Sequence, residues 1–323
     1  MKYLGRRLVH AILLLLAISL FSFVLLQLAP GDFFGSMRVN PRISQQTIDG
    51  LRATYGIDKP FPIRYAHWLA SVANGQLGVS LAYNGPVAPL LRVRARNTLL
   101  LTGISTFFAW LLAIPIGLFS ATRRGKAMDR ASGAATSTLL AIPDLLLFLA
   151  LLLLAVRTGW FPAGGMISPG LEDVGFWSRA RDIARHVVLP ALGLTIVTLP
   201  VLVRHVRSAV IQVLESPFIR AARGHGISGS RLLFRYVLRA ASNPLISLLG
   251  FSIGTMLSAS LLVEVVLSWP GLGPLLVEAI LSRDVYVVVG AVMLSSVFLL
   301  AGNFVADLLL FASDPRIRVE QAE

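Results

Sequence analysis

The chain has no cysteine among its 323 residues, which excludes a disulfide framework, a thiol nucleophile and a thiolate metal site. Charge is scarce as well: Asp, Glu, Lys and Arg make up 14% of the residues against 55% hydrophobic, and the mean hydropathy is +0.75. That balance excludes both a soluble globular fold and a disordered chain, because most of the surface has to face something apolar. Acids are the scarcer sign, 16 against 29 basic residues, for a net charge of +13. The basic residues flank apolar runs, so membrane orientation and anionic lipid account for them, and no nucleic-acid partner is expected.

Motifs of nucleotide and covalent chemistry are missing too. A phosphate-binding G-x-x-x-x-G-K-[ST] loop does not occur, since Gly125-Lys126 lacks both the upstream glycine and the following hydroxyl residue. The five histidines, His10, His67, His186, His205 and His225, form no H-E-x-x-H pattern, and no G-x-S-x-G is present. No catalytic residue, metal site or cofactor is therefore expected in this chain.

What is present is a series of long apolar runs. Crossing about 30 Å of hydrocarbon at 1.5 Å per residue takes about 20 mostly apolar residues. Six runs qualify: Leu8 to Leu28, Thr98 to Ala121, Ala134 to Val156, Val187 to Val203, Leu245 to Leu267 and Val285 to Phe311. The fourth is the shortest. The first follows Lys2, Arg6 and Arg7, but it is longer than a secretory h-region and no A-x-A site follows, so it reads as a retained span. No linker or internal repeat divides the chain.

With the N-terminus inside, the inward segments hold 16 Lys and Arg in 72 residues and the outward ones 13 in 116. This bias places both termini in the cytoplasm and the 69-residue segment between the first two spans outside. That outer segment carries helical spacing at Phe61, Tyr65, Trp68, Leu69 and Val72, and again at Ile48, Leu51 and Tyr55, which predicts two short surface helices. Trp160 and Trp269, at outer ends of spans, read as interfacial anchors. Asp144, after Pro143, is the one carboxylate near the middle of a span. It reads either as a group lining a translocation path or as a residue hydrogen-bonded at the proline kink or against a partner. Glu264 and Asp307 lie nearer span ends, where anchoring or inter-subunit polar contact is expected. A single central acid gives an ion-coupled carrier or channel little support.

The inward segment between the fourth and fifth spans is the most informative. In residues 215–228, Ser216 suits an N-cap, Pro217 the first helical position, and Gly224 and Gly226 can supply the positive φ that ends a helix. A helix of about two turns is predicted, too short to persist in water without something to pack on. A second helix is predicted from Ser228, with Arg231, Arg235 and Arg239 on one stripe facing lipid phosphates and Leu233, Val237 and Ala240 on another.

This segment resembles the inner-membrane permease subunits of ATP-binding-cassette importers of the dipeptide, oligopeptide and nickel group. Those subunits carry a cytoplasmic E-A-A-x-x-x-G loop that forms a coupling helix; here it reads Arg220-Ala221-Ala222-Arg223-Gly224-His225-Gly226. Arg220 replaces the family glutamate, and of the following I-x-L-P only Leu238 is matched. Further similarities run in order along the chain: Gln27-Leu-Ala-Pro-Gly-Asp32, Gly56-Ile-Asp-Lys-Pro60, Leu77-Gly-Val-Ser80, His186-Val-Val-Leu-Pro-Ala191, Ser268-Trp-Pro-Gly-Leu-Gly273, Arg283-Asp284 and Asp314-Pro-Arg-Ile-Arg318.

The resemblance implies an all-α polytopic membrane protein of six transmembrane helices, the MetI-like fold of type I ABC importer permeases. It divides the chain into an N-terminal helix with its extracytoplasmic loop (1–97), a core of five spans (98–311) and a cytoplasmic tail (312–323). It implies a bacterial inner-membrane location and import of short peptides, with nickel or another small solute as the alternative cargo. The implied partners are a homologous second permease, two ATPase subunits that bind ATP and magnesium, and an extracytoplasmic solute-binding protein. The implied ATPase-coupling residues are Ser216, Pro217, Arg220, Ala221, Ala222, Arg223, Gly224, His225 and Gly226, and the candidate for the translocation path is Asp144.

Overall fold

The computed structural model describes residues 2–29, 31, 33–35, 44–54, 58–171 and 175–313. Tyr55, Gly56 and Ile57 of the Gly56 to Pro60 motif, Pro30 and Asp32 of the Gln27 to Asp32 motif, and the 314–323 part of the tail lie outside the described residues; of Leu51 only the backbone is described. The described chain is almost entirely helical, in two compact units.

The first unit comprises 1–97 and 270–298. Helix α1 (Lys2–Leu28) is followed by α2 (Gln45–Thr54) and α3 (Phe61–Ala73), the two short helices expected after the first span. Pro60 and Pro62 start α3, where a missing N–H is harmless. All five of the apolar positions foreseen for α3 pack around Phe23 of α1 and Val289, while Ile48 of α2 is buried. Phe23 meets Tyr65 edge-on at 5.4 Å and Trp68 at 5.0 Å, and the Ser19 hydroxyl hydrogen-bonds the Tyr65 hydroxyl at 2.9 Å. Beyond this seam α1 is apolar and exposed: only 11% of its most apolar window is buried. A four-residue turn joins strands β1 (Val79–Ser80) and β2 (Gly85–Pro86), paired antiparallel with Val79 opposite Pro86. The hairpin leads into α4 (Val87–Thr122). Later in the chain, α10 (Leu272–Ser282) and the start of α11 (Val285–Ser313) complete the unit.

The second unit comprises 98–269 and 299–323. After α4 come α5 (Ala127–Ala141), α6 (Asp144–Thr158) and α7 (Phe176–Leu214), then α8 (Pro217–Gly224) and α9 (Gly229–Val266). Helix α7 is its hub, with 61% of its apolar window buried. The fourth apolar run, the shortest in the sequence, thus lies within the longest helix, 39 residues that continue through Pro190 and Pro200. Its polar ends were read as loop because charge, not helix propensity, marked them; neighbouring helices and side chains re-satisfy a spanning helix at proline.

The third run is not one continuous helix. Ile142, preceding Pro143, is extended (φ −84°, ψ 122°), as the clash between a proline ring and the previous residue demands. Helix α5 therefore stops at Ala141, α6 restarts at Asp144, and the two axes bend by 92°. Among the described residues five helices are long and apolar enough to cross a membrane, or six if the bent pair is one span.

Candidate functional site

The two-turn helix foreseen in the inward segment is α8. Ser216 has the extended backbone of an N-cap (φ −68°, ψ 150°), and Pro217 opens the helix. The cap is made by backbone alone, because the Ser216 hydroxyl donates back to Val213 O at 2.5 Å and not to a role at the helix start. At the other end Ile227 N–H donates to Ala222 O (3.1 Å) and Gly226 N–H to Arg223 O (2.9 Å), the paired bonds of a Schellman motif. Gly226 supplies the left-handed residue (φ +80°). Gly224, the other expected terminator, is instead the last helical residue.

One face of α8 anchors it. Ile219 is fully buried and Ala222 nearly so, packed with Ile227 against Val206, Val210 and Leu214 of α7 and against Leu232 and Val237. Burying a side chain the size of Ile219 stabilises by about 1.5–3 kcal/mol, which compensates for a helix too short to stand alone. The opposite face, Phe218, Arg220, Ala221, Arg223, Gly224 and His225, is exposed and carries two fixed positive charges. The two alanines that were read together thus have opposite roles in packing.

The helix predicted from Ser228 exists as the beginning of α9, but with a π-helical turn at Leu232–Val237. The extra residue in that turn moves the buried face to Leu232, Val237 and Ala241, leaving Ala240 exposed where the regular spacing had placed it inside. Arg231, Arg235 and Arg239 remain exposed.

The base on which α8 rests is locked by charge. Asp129, 8% exposed at the start of α5, accepts from Arg207 Nε (2.6 Å) and Nη2 (2.9 Å), from the Ser120 hydroxyl (2.6 Å) and from Gly125 N–H (2.9 Å). One carboxylate thereby ties α4, the turn after it, α5 and α7. Arg204 of α7 also donates to Ser137 of α5 (2.8 Å), and Arg124 pairs with Glu215, which closes α7 two residues before α8. None of these partners was singled out from sequence; the one signal was a lone acid in the basic stretch Arg123 to Arg130.

Asp144 is not inside a helix but at the first position of α6, beside the break, and it is exposed. No hydrogen bond at the proline kink holds it among the described residues.

Residues 113–319 match the family model described as the inner membrane component of binding-protein-dependent transport systems, and residues 1–112 match the model for the N-terminal part of such membrane components. The chain belongs to this family. It is 36% identical to the oligopeptide transport system permease protein AppB of Bacillus subtilis over 98% of both chains. It is 31% identical to the dipeptide transport system permease protein DppB of Escherichia coli K12, covering 98% of this chain and 99% of that one. Among solved structures it resembles the MetNI methionine ABC transporter in its inward-facing conformations, with a TM-score of 0.56 and 19% identity over 70% of this chain and 96% of that one. The fold is thus that of a MetI-like importer permease, a multi-pass component of the inner membrane.

Several polar clusters in this permease are structural. Asp182, near the start of α7, takes Ser168 N–H (2.6 Å) on one oxygen and the Ser168 hydroxyl (2.8 Å) on the other, and His186 Nδ1 lies 3.6 Å from that second oxygen. Serine, acid and histidine meet, but the acid lies on the serine directly and His186 Nδ1 sits 2.9 Å from the Asp182 backbone oxygen, so the histidine does not bridge the two and the cluster pins the loop before α7. Trp269, read as an interfacial anchor, is fully buried among Leu101, Val263 and Leu267. The left-handed Ser268 (φ 51°) and the bond from Trp269 N–H to Glu264 O (2.8 Å) fold it inward. Trp160 is 69% exposed, as an anchor requires.

In the first unit, buried Asp284 accepts from the Ser80 hydroxyl (2.6 Å) and Ala82 N–H (3.1 Å), fastening the hairpin to the start of α11. Nearby the Tyr83 hydroxyl donates to Glu278 (2.5 Å); partial burial first, and the carboxylate second, push its pKa up to about 12.

Proposed function

We propose that this chain is one of two membrane subunits of an ATP-driven importer of short peptides. The peptide cargo is supported by the names of its relatives, an oligopeptide and a dipeptide permease each matched over nearly its full length. Both termini lie in the cytoplasm, and the segment holding α2, α3 and the hairpin faces the opposite side, where a solute-binding protein delivers cargo. Residues 98–311 form the permease core, 1–97 an added helix and outer loop, and 312–323 a tail. A homologous permease completes the pathway, and two ATPase subunits hold ATP and magnesium.

The observation that carries this reading is α8. It is a short helix with an exposed basic face, seated by Ile219 and Ala222 on the ends of the two long helices α7 and α9. A push on Ser216, Pro217, Arg220, Ala221, Arg223, Gly224 or His225 passes through that seat into both helices. ATP binding closes the ATPases and moves α8 with them, so the two permeases open outward; hydrolysis resets them. Asp144, exposed at the break between α5 and α6, is the candidate group on the path, placed to meet the cargo's ammonium group.

Proteoliposomes holding the full complex test the reading. Gly226→Val places a β-branched residue at φ +80°, a conformation that costs an L-residue about 1–2 kcal/mol or more. Insertion stays normal, while peptide uptake and ATPase co-purification fall about tenfold. Asp144→Asn lowers uptake with assembly intact. Normal uptake and normal ATPase binding in Gly226→Val would contradict the coupling role, and accumulation of nickel in place of peptide would overturn the cargo.

A further inference from the structure

A cleft of about 380 Å³ in the first unit gathers three arginines from three elements: Arg52 of α2, Arg64 of α3, and Arg283 in the turn between α10 and α11. No carboxylate is among its described lining residues. The adjacent acid, Asp284, turns its carboxylate to Ser80 and Ala82 instead. Arg64 Nε and Arg283 Nη1 are shielded from solvent and reach no acceptor among the described residues. Buried cationic donors without an acceptor are unfavourable, so the arrangement suits an anion that brings its own oxygens.

Arg283 is delivered to the cleft by its backbone. It occupies the left-handed region (φ 58°) in a Schellman turn where glycine is usual, and Asp284 N–H bonds Ala279 O at 2.8 Å. Its guanidinium lies so close over Gly31 that any side chain there would collide with it.

The surroundings decide which anion. The walls include Phe33, Phe34 and Leu81, and one side is the last turn of α1 at Leu26 and Gln27. Directly beside them Leu25 and Leu28 are 51% and 75% exposed on a spanning helix that is barely covered by protein. A cationic pocket that continues onto a lipid-facing apolar helix matches an amphiphile with an anionic head. We propose that this cleft binds the phosphate headgroup of an anionic phospholipid, with the acyl chains lying along α1. The guanidinium forks grip the phosphate oxygens, and the lipid fixes the outer loop against the bilayer surface. The inference rests on the membrane setting of the family and not on the peptide cargo.

Native mass spectrometry of the purified full complex, titrated with phosphatidylglycerol or phosphatidylcholine, tests it. The intact complex retains phosphatidylglycerol at a concentration at least about tenfold lower than does the Arg64→Gln/Arg283→Gln variant, as expected for the loss of two charge-assisted contacts. Phosphatidylcholine is held equally weakly by both, and Arg181→Gln, an exposed arginine of the other unit, behaves as the unaltered complex does. If the double variant does not assemble, Arg64→Gln alone shows a loss of about threefold. Equal retention of phosphatidylglycerol by variant and unaltered complexes overturns the proposal. So does its displacement by inorganic phosphate or by dialanine at matching concentration, which would assign the cleft to a free anion or to a peptide carboxylate.

Discussion

Asp129 and Asp284 are both buried carboxylates that fasten a turn to the start of a helix, yet they are satisfied by opposite chemistry. Asp129 accepts from two nitrogens of the Arg207 guanidinium as well as from a hydroxyl and a backbone N–H. Asp284 is met by a hydroxyl and a backbone N–H, and lies at the N-terminus of α11, with Val287 N–H 3.4 Å from its other oxygen. The difference lies in how much each tie holds together. Under α8 the tie joins four segments and holds them with charge; at the hairpin it anchors one small loop with dipoles. A lock built on charge is rigid but intolerant of losing one partner, whereas a lock built on dipoles loses only its own hydrogen bonds.

The comparison is broken most sharply at Asp129. Replacement by alanine leaves the partly buried Arg207 without its acid, and stability falls by about 2 kcal/mol. Thermal unfolding of the complex in detergent reads this as a lowered midpoint, and the double variant Asp129→Leu/Arg207→Met regains most of it. A double variant as unstable as the single one would show that packing, and not the stranded charge, sets the cost. Asp284→Asn comes next. Its amide oxygen keeps both Ser80 and Ala82, which share one oxygen of the acid, and its N–H₂ is turned toward Val287 N–H, a loss of about 1 kcal/mol in the same assay. A loss equal to that of Asp129→Ala would erase the distinction between the two ties.

The smallest effect is at Tyr83. Its phenol has a folded pKa raised from 10.0 to about 12, so its contribution is complete below pH 10 and is lost as the pH rises through about 12. Ultraviolet titration of tyrosinate finds this group ionising near pH 12, and Glu278→Gln moves it part of the way back toward 10, because burial contributes more than the carboxylate. An unmoved titration would remove Glu278 from the tie.

How much of this could be read from residues alone differs between the same regions. Spans are legible because the bilayer demands about 20 apolar residues in a row, and α8 is legible because Ser216, Pro217 and Gly226 are local signals. The break at Pro143 was legible in principle, since a proline constrains the residue before it, but the apolar run continues on both sides and hid it. The π-helical turn at Leu232–Val237 left no local mark, and it displaced every side chain after it by one position. The tie between Asp129 and Arg207 spans 78 residues, and the one between Ser80 and Asp284 spans 204, so neither has a sequence period to betray it. Trp269 was misread because position at a span end says nothing about which way a turn folds the ring.

The absence of cysteine makes one measurement unusually direct. Ala221→Cys introduces a single thiol on the exposed face of α8 without disturbing Ala222 or Ile219 in the seat. A membrane-impermeant maleimide is expected to label it in inside-out vesicles and not in intact cells, with labelling suppressed when the ATPase subunits are bound. Labelling from outside intact cells, or labelling indifferent to the ATPase, would contradict the claim that α8 is the helix through which ATP hydrolysis moves this permease.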